Sequence, residues 1–295
     1  MQEEIIEIGY AKINLHLDVI GILNDGYHAV STVMQTISLC DKITISEIEK
    51  NTEIPHFTIS CNIKEIPCDG RNLALRAALL FCEKTGICMS AHIDIEKNIP
   101  MAAGMAGGST DGAAVLRGLN RATGYPLTTE EICEIGAMLG ADVPFCIVGG
   151  TKYADVRGNV LHDFPKMPYC FIVTACEGEG VSTPWGYELL DATYNNFSES
   201  TYTPKSISTL QRALTNGDIK EAAKNIYNIF EAPVLSRRPV AADVKATLLS
   251  AGALGAMMSG SGPSVFGIFD SEKTAANAAK ALSAKGYKPY ICRPV

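Results

Sequence analysis

The 295-residue chain predicts an α+β protein of two domains. Three observations carry that expectation. Clean alternation of apolar and polar residues over 8–20, with further strand-like runs up to residue 61, marks strands. From about residue 72 onward, helical periodicity takes turns with short apolar runs. Beyond residue 168 the order becomes strand, a mostly helical middle, strand, strand, helix, strand. That is the order of a split βαβ, or ferredoxin-like, unit with extra helices in its first crossover. A boundary near Gly158 separates an N-terminal domain (1–158) from a C-terminal one (159–295), each of ordinary domain size. With 47% apolar and 19% charged residues, the chain has the composition of a soluble globular protein with a substantial core.

The first strand is expected over residues 8–20, with Ala11, Ile13, Leu15, Leu17 and Val19 on one face and Tyr10, Lys12, Asn14, His16 and Asp18 on the other. Asn24-Asp25-Gly26 is a hairpin turn, and a second strand begins at Tyr27-His28. Further strands are expected over 42–48 and 56–61. A helix over 72–84, apolar at Leu75, Ala78, Leu79 and Cys82, is stopped by Gly86. A strand over 91–96 leads into the glycine-rich stretch 99–112, and a helix over 113–123 follows, with Ser109 or Thr110 as its N-cap. Thr128-Thr129-Glu130-Glu131 starts another helix that ends near Gly140. Strands are expected over 151–156 and 169–175, helices within 206–250, strands over 255–258 and 264–269, a helix over 272–285 and a last strand over 288–292. Residues 195–204, polar and aromatic without a period, read as a mobile loop.

Charge and termini narrow the function classes. A net charge of −7 disfavours non-specific nucleic-acid binding, which needs a basic surface. Met1-Gln2-Glu3-Glu4-Ile5 carries acid where a signal peptide carries base. The uncharged run 251–269 has the length of a membrane span, but its Gly, Ser and Pro263 fit two buried strands around a turn. Ten scattered cysteines without a C-x-x-C pair fit reduced thiols, and neither a disulfide framework nor a structural metal site is expected. The expectation is a cytoplasmic protein, a monomer or weak homodimer, with no nucleic-acid or membrane partner.

The stretch Pro100-Met-Ala-Ala-Gly104-Met-Ala106-Gly107-Gly108-Ser109-Thr110-Asp111 is the feature most suggestive of chemistry. A turn of small residues lets backbone N–H groups approach a ligand, and a helix starting there directs its unpaired N–H groups at an anion. Phosphate binding and a plain tight turn weigh equally on this pattern alone. Lys12 in mid-strand is costly to bury without an anionic partner, although a snorkelling lysine on a half-exposed face is the commoner outcome. Asp142, after Gly140-Ala141 and before an apolar run, is either an enclosed carboxylate needing a partner or a turn aspartate. Together with a phosphate nest, a lysine and a carboxylate are the set that phosphoryl transfer to an alcohol requires. Ser259-Gly-Ser-Gly-Pro-Ser264 reads as a loose turn or a second backbone cradle. Tyr27, His28 and Tyr187 are scattered surface rings or a platform for a nucleobase.

These residues resemble a known family. The stretch 100–111 is similar to the second motif of the GHMP kinases (galactokinase, homoserine, mevalonate and phosphomevalonate kinases). Ser259–Ser264 is similar to their third motif, and Ala11-Lys12-Ile13-Asn14-Leu15 to their first. The three occur in the family's order across nearly the whole chain. Asp25-Gly-Tyr-His28 and Gly140-Ala-Asp-Val-Pro144 resemble the branch that phosphorylates the 2-hydroxyl of a cytidine-diphosphate-linked methylerythritol in isoprenoid precursor synthesis. The resemblance implies the GHMP kinase fold, an N-terminal α+β domain with a left-handed βαβ unit and a ferredoxin-like C-terminal domain, with the substrate between them. It implies ATP and Mg2+ as cofactors, Asp142 as general base on the substrate and Lys12 as its catalytic partner. Pro100, Gly104, Ala106, Gly107, Gly108, Ser109 and Thr110 would cradle the phosphates, with Asn72 and Lys97 toward the nucleotide. Asn14, Tyr27, His28, Thr183 and Tyr187 would face the substrate, its cytosine held between Tyr27 and Tyr187 and hydrogen-bonded by His28. Met105 in place of leucine and Thr110 in place of serine keep the shape and the hydroxyl.

Overall fold

The computed structural model describes residues 4–155, 157–178, 180–197 and 202–295. The acidic N-terminus (1–3) and the last residue expected in the strand over 151–156 lie outside the described residues.

The chain opens with two long strands, β1 (Ile5–Ile22) and β2 (His28–Lys50), followed by β3 (His56–Cys61) and helix α1 (Leu73–Thr85). Strand β4 (Met89–Glu96) precedes α2 (Gly107–Ala122), α3 (Thr129–Leu139) and the short α4 (Val143–Val148). Strands β5 (Thr151–Asp155), β6 (Val160–Asp163) and β7 (Phe171–Ala175) lead to α5 (Thr183–Tyr194), α6 (Ser208–Thr215), α7 (Ile219–Lys224), β8 (Tyr227–Asn228), α8 (Glu231–Leu235) and α9 (Pro239–Ser250). The chain closes with β9 (Gly255–Met258), β10 (Val265–Phe269), α10 (Glu272–Ala284) and β11 (Pro289–Cys292).

Two compact units result. The first comprises residues 1–11, 40–99 and 106–149; the second comprises 12–39, 100–105 and 150–295. Gly158 lies in the turn between β5 and β6, inside the second unit.

In the first unit β3 runs parallel to β4, joined through α1, and β4 is antiparallel to the C-terminal part of β2. Helices α1 to α4 cover these strands, and Ile43, Ile45, Ile93 and Ile95 form a core with Phe81, Leu116 and Leu119. Asn72 caps α1, and Thr128 with Glu131 forms the capping box that the sequence suggests for α3.

In the second unit β7, β9, β10 and β11 form an antiparallel sheet in the order β11-β7-β10-β9, with α9 and α10 packed on it. This is the expected split βαβ order, with α5 to α9 and the two-residue β8 inside the first crossover. The uncharged run 251–269 supplies β9 and β10, and among the described residues no helix is long and apolar enough to cross a membrane. In the same unit β5 pairs with β2 and with β6, and β8 lies parallel to β1.

Three expectations are corrected. The strands expected separately from residue 27 and over 42–48 are one continuous strand, β2, whose pattern is interrupted by a register shift between Ser46 and Glu49, with Glu47 at φ 53°. Lys12 does not lie on a half-exposed face: it is 4% exposed, and Asn14, His16 and Asp18 beside it are no more so. The helix expected over 113–123 starts six residues earlier, at Gly107, with Ala106 rather than Ser109 or Thr110 at the N-cap position.

The stretch expected to be a mobile loop, 195–204, is in part tied down. Residues Asn195–Phe197 form a 3-10 turn. The Tyr202 hydroxyl donates to the buried Asp18 carboxylate, and the Lys205 backbone N–H donates to the same group at 2.7 Å. Residues 198–201 of this stretch lie outside the described residues.

Candidate active site

Three sequence motifs converge within the second unit. Lys12 on β1 donates from Nζ to Asn14 Oδ1 at 2.8 Å, and the same oxygen accepts from the Gly260 N–H at 3.0 Å. Asn14 Nδ2 donates to Thr32 Oγ1 at 2.9 Å, and Thr32 in turn donates to the His16 carbonyl. The backbone N–H of Lys12 donates to the Met105 carbonyl at 3.2 Å. Lys12 is therefore not the snorkelling lysine that adaptability favours; it is buried, and its ammonium is aimed by a side chain whose own bonds are fixed. Asn14, expected on the substrate side, has both ends of its amide engaged in holding this arrangement.

The turn 259–264 packs on the first half of the glycine-rich stretch. Ser259 Oγ donates to the Gly104 carbonyl at 3.0 Å, and the Ser264 N–H donates to the Ala103 carbonyl at 3.3 Å. Asn228 on β8 donates to the Met258 and Gly260 carbonyls at 2.7 and 2.8 Å, bracing the turn from the other side. Gly104 has φ +73°, and a Cβ there would overlap the Ser259 carbonyl oxygen. Backbone strain of this kind costs about 1–3 kcal/mol before the overlap is counted. Gly104→Ala is accordingly expected to lower the thermal midpoint by several degrees in a calorimetric scan; an unchanged midpoint would show that the two turns are free to separate.

In the first unit the stretch continues into α2. Ala106 adopts a left-handed conformation at φ 59° and offers no side-chain cap. The first N–H groups of a 16-residue helix are thus left to an external acceptor, with Gly108 exposed and Gly107 and Ser109 half-buried beside them. Thr110 is different: it is buried, and its hydroxyl donates to the Tyr10 carbonyl at 2.9 Å.

Beneath Gly107 lies a buried ion cluster that sequence reasoning does not assemble. Lys97 Nζ donates to Asp41 Oδ2 at 2.6 Å and to Asp111 Oδ2 at 2.5 Å, all three side chains being essentially inaccessible. Asp41 Oδ1 accepts from the N–H groups of Asn98 and Ile99, and Asn62 brackets the Lys97 backbone. The other oxygen of Asp111 is buried without a hydrogen bond. Burial pushes the Asp111 carboxyl up to about 8 against the pull of Lys97, with Asp41 adding to the rise. A Cβ at Gly107 would sit 3.0 Å from Lys97 Nζ, so a larger residue would press on the ammonium and force it to shift. Asn72 is likewise engaged locally, accepting from the Ala74 N–H as the α1 cap and donating to the Pro67 carbonyl.

Asp142 belongs to the first unit, half-buried at the N-cap position of α4. Its side chain makes no capping bond to that helix. The residue sits in the turn that follows Gly140 and does not act as the side-chain cap of α4.

A ring cluster occupies another part of the second unit. His28, at the start of β2, stacks on Tyr187 of α5 with centroids 4.4 Å apart, and its Nε2 meets Asp191 Oδ1 at 2.7 Å. Tyr187 packs edge-on against Phe230. Tyr27 is half-exposed under the Arg157 guanidinium, 4.9 Å from its centroid, and Thr183 is exposed in the first turn of α5 after the Ser182 cap. Tyr187 and His28 are thus brought together, while Tyr27 carries Arg157 on its face. Sequence reasoning missed Asp41, Asn228 and Asp191, whose only local signature is that of ordinary polar residues.

Comparison with known proteins agrees with the motifs. Residues 72–150 match the family model of the GHMP kinases N terminal domain, and residues 210–288 that of the GHMP kinases C terminal. The 4-diphosphocytidyl-2-C-methyl-D-erythritol kinase of Caldicellulosiruptor bescii is 42% identical over 273 residues, covering 92% of each chain. The enzyme of the same name from Clostridium kluyveri is 39% identical over 286 residues, covering 97% of this chain and 98% of its own. A crystal structure of 4-(cytidine 5'-diphospho)-2C-methyl-D-erythritol kinase superposes with a TM-score of 0.80 at 28% identity, covering 98% of both chains. The chain belongs to the GHMP kinases and, within them, to the family of 4-diphosphocytidyl-2-C-methyl-D-erythritol kinases.

Proposed function

We propose that the chain transfers the γ-phosphoryl group of ATP to the 2-hydroxyl of 4-diphosphocytidyl-2-C-methyl-D-erythritol. Asp142 accepts the hydroxyl proton, and Lys12 orients that carboxylate and neutralises the phosphoryl group in transit. The observation that carries the reading is the fixing of Lys12 through Asn14 to the Gly260 turn and through its backbone to Met105. An ammonium held this way needs no reorganisation as charge develops.

The uncapped start of α2, with Pro100, Gly104, Ala106, Gly107, Gly108 and Ser109 around it, is the proposed phosphate cradle. Lys97 supports it from below, and Asn72 sets the end of α1 on the nucleotide side. Mg2+ supplies neutralisation of phosphate charge when it accompanies ATP. It usually takes few protein ligands beside phosphate and water; of the two hydroxyls at the start of α2, Thr110 is engaged with Tyr10, so Ser109 is the one that would be available to it. Tyr27, His28, Thr183 and Tyr187 form the proposed cytidine side. Ten free thiols suit a reducing compartment, so the cytoplasm is the proposed location.

The test is a kinase assay on the sugar alcohol with and without its cytidyl group. Phosphorylation of the cytidyl compound alone is expected. Tyr27→Ala should raise KM for that substrate about tenfold or more, the loss of one base-stacking face, and leave KM for ATP unchanged. Equal turnover of the alcohol without its cytidyl group, or an equal rise in both KM values, would overturn the substrate assignment.

A further inference from the structure

We propose that Asp191 is a specificity-determining positioning residue: by fixing the tautomer of His28 it makes the site select a base with an exocyclic amine. The proposal rests on the reading that His28 faces the base of the substrate. An ionised carboxylate only accepts hydrogen bonds, so Nε2, 2.7 Å from Asp191 Oδ1, carries the ring proton. In the neutral ring Nδ1 is then an acceptor. Nδ1 has no hydrogen-bond partner among the described residues.

The ring is also held against rotation. It is stacked on Tyr187 at an interplanar angle of 26° and met edge-on by Phe197 at 5.6 Å. Tyr187 and Asp191 are four residues apart on α5, so one helix face presents both the stacking ring and the carboxylate. The side chain of His28 is only 12% exposed, whereas that of Asp191 is 33% exposed. Asp191 thus engages Nε2, and Nδ1 is the ring atom left to accept from a ligand.

An in-plane acceptor pairs with the amine of cytosine and faces the carbonyl of uracil lone pair to lone pair. Discrimination by such a bond is far stronger than discrimination by size, because the wrong base leaves buried polar groups unpaired. Binding of the diphosphate and sugar does not pass through this bond, so the effect should fall on choice of base alone.

The experiment compares kcat/KM for the cytidyl substrate and its uridyl analogue in the wild type, Asp191→Ala and Asp191→Glu, with the ring 15N shifts of His28 recorded for each. In the wild type the Nε2–H tautomer and a strong cytidyl preference are expected. Asp191→Ala should narrow that preference at least tenfold and give mixed tautomers with KM for ATP unchanged, and Asp191→Glu, which keeps the carboxylate, should recover most of both. An unaltered cytidyl-to-uridyl ratio in Asp191→Ala, or a wild-type ring protonated on Nδ1, overturns the role of Asp191 while leaving the cytidine reading intact. A wild type that does not distinguish the two bases overturns that reading and the inference with it.

Discussion

Asparagine at position 142 is expected to lower kcat by about 10²–10⁴-fold, the usual contribution of a positioned general base. The replacement is isosteric and removes the negative charge and with it the ability to take up a proton. Little loss of packing should accompany it, because the side chain keeps its size and the residue is half-buried rather than part of the core. The glycine-rich stretch and the start of α2 are untouched, so ATP affinity measured by calorimetry should stay within about twofold, in keeping with an interaction realised only in the transition state. Turnover near that of the wild type would remove Asp142 from the chemistry. A parallel loss of ATP affinity would make it a nucleotide-binding residue instead.

How far the sequence could be read depends on the range of the interactions concerned. The glycine-rich stretch, the 259–264 turn and Lys12 are conspicuous within a few residues of chain, because each departs from what an ordinary strand or turn needs. Alternation also locates β1, but alternation reports the direction of side chains and not what covers them. Nothing within residues 8–20 says that Asn14 meets Gly260, 246 residues away, and so that its polar face is enclosed. The start of α2 is obscured by its composition: Gly107 and Gly108 are poor helix formers, yet they are its first two residues, and a side chain at 107 would press on Lys97. β6 and β8 have four and two residues, too short for a period to show. Asp41, Asn228 and Asp191 acquire their roles only through partners 30 to 163 residues distant.

The buried cluster under Gly107 leads to the largest expected loss of stability. Lys97→Met keeps the length and apolar stem of the side chain but leaves the Asp41 carboxylate enclosed with no cation, and breaking a buried pair in this way costs about 3–5 kcal/mol. Asp111→Asn should act in the opposite sense, with a characteristic pH dependence. The Asp111 carboxyl is raised by burial from its ordinary 3.8 to about 8, so between those values the folded chain holds a proton that the unfolded chain does not. Stability from this group is then lost as pH rises through that window. Asparagine carries no titrating proton, and its amide hydrogens add donors beside the buried oxygen that lacks a partner in the wild type. The advantage of Asp111→Asn over wild type should therefore grow from about pH 4 to about pH 8 and be constant above. In the Lys97→Met background it should recover part of the loss, because the introduced amide can donate to the neighbouring Asp41 carboxylate that has lost its cation. Denaturation midpoints of the four proteins across this pH range provide the check. A gain from Asp111→Asn that does not vary with pH would mean that Asp111 is ionised throughout and that Lys97 balances both carboxylates unaided.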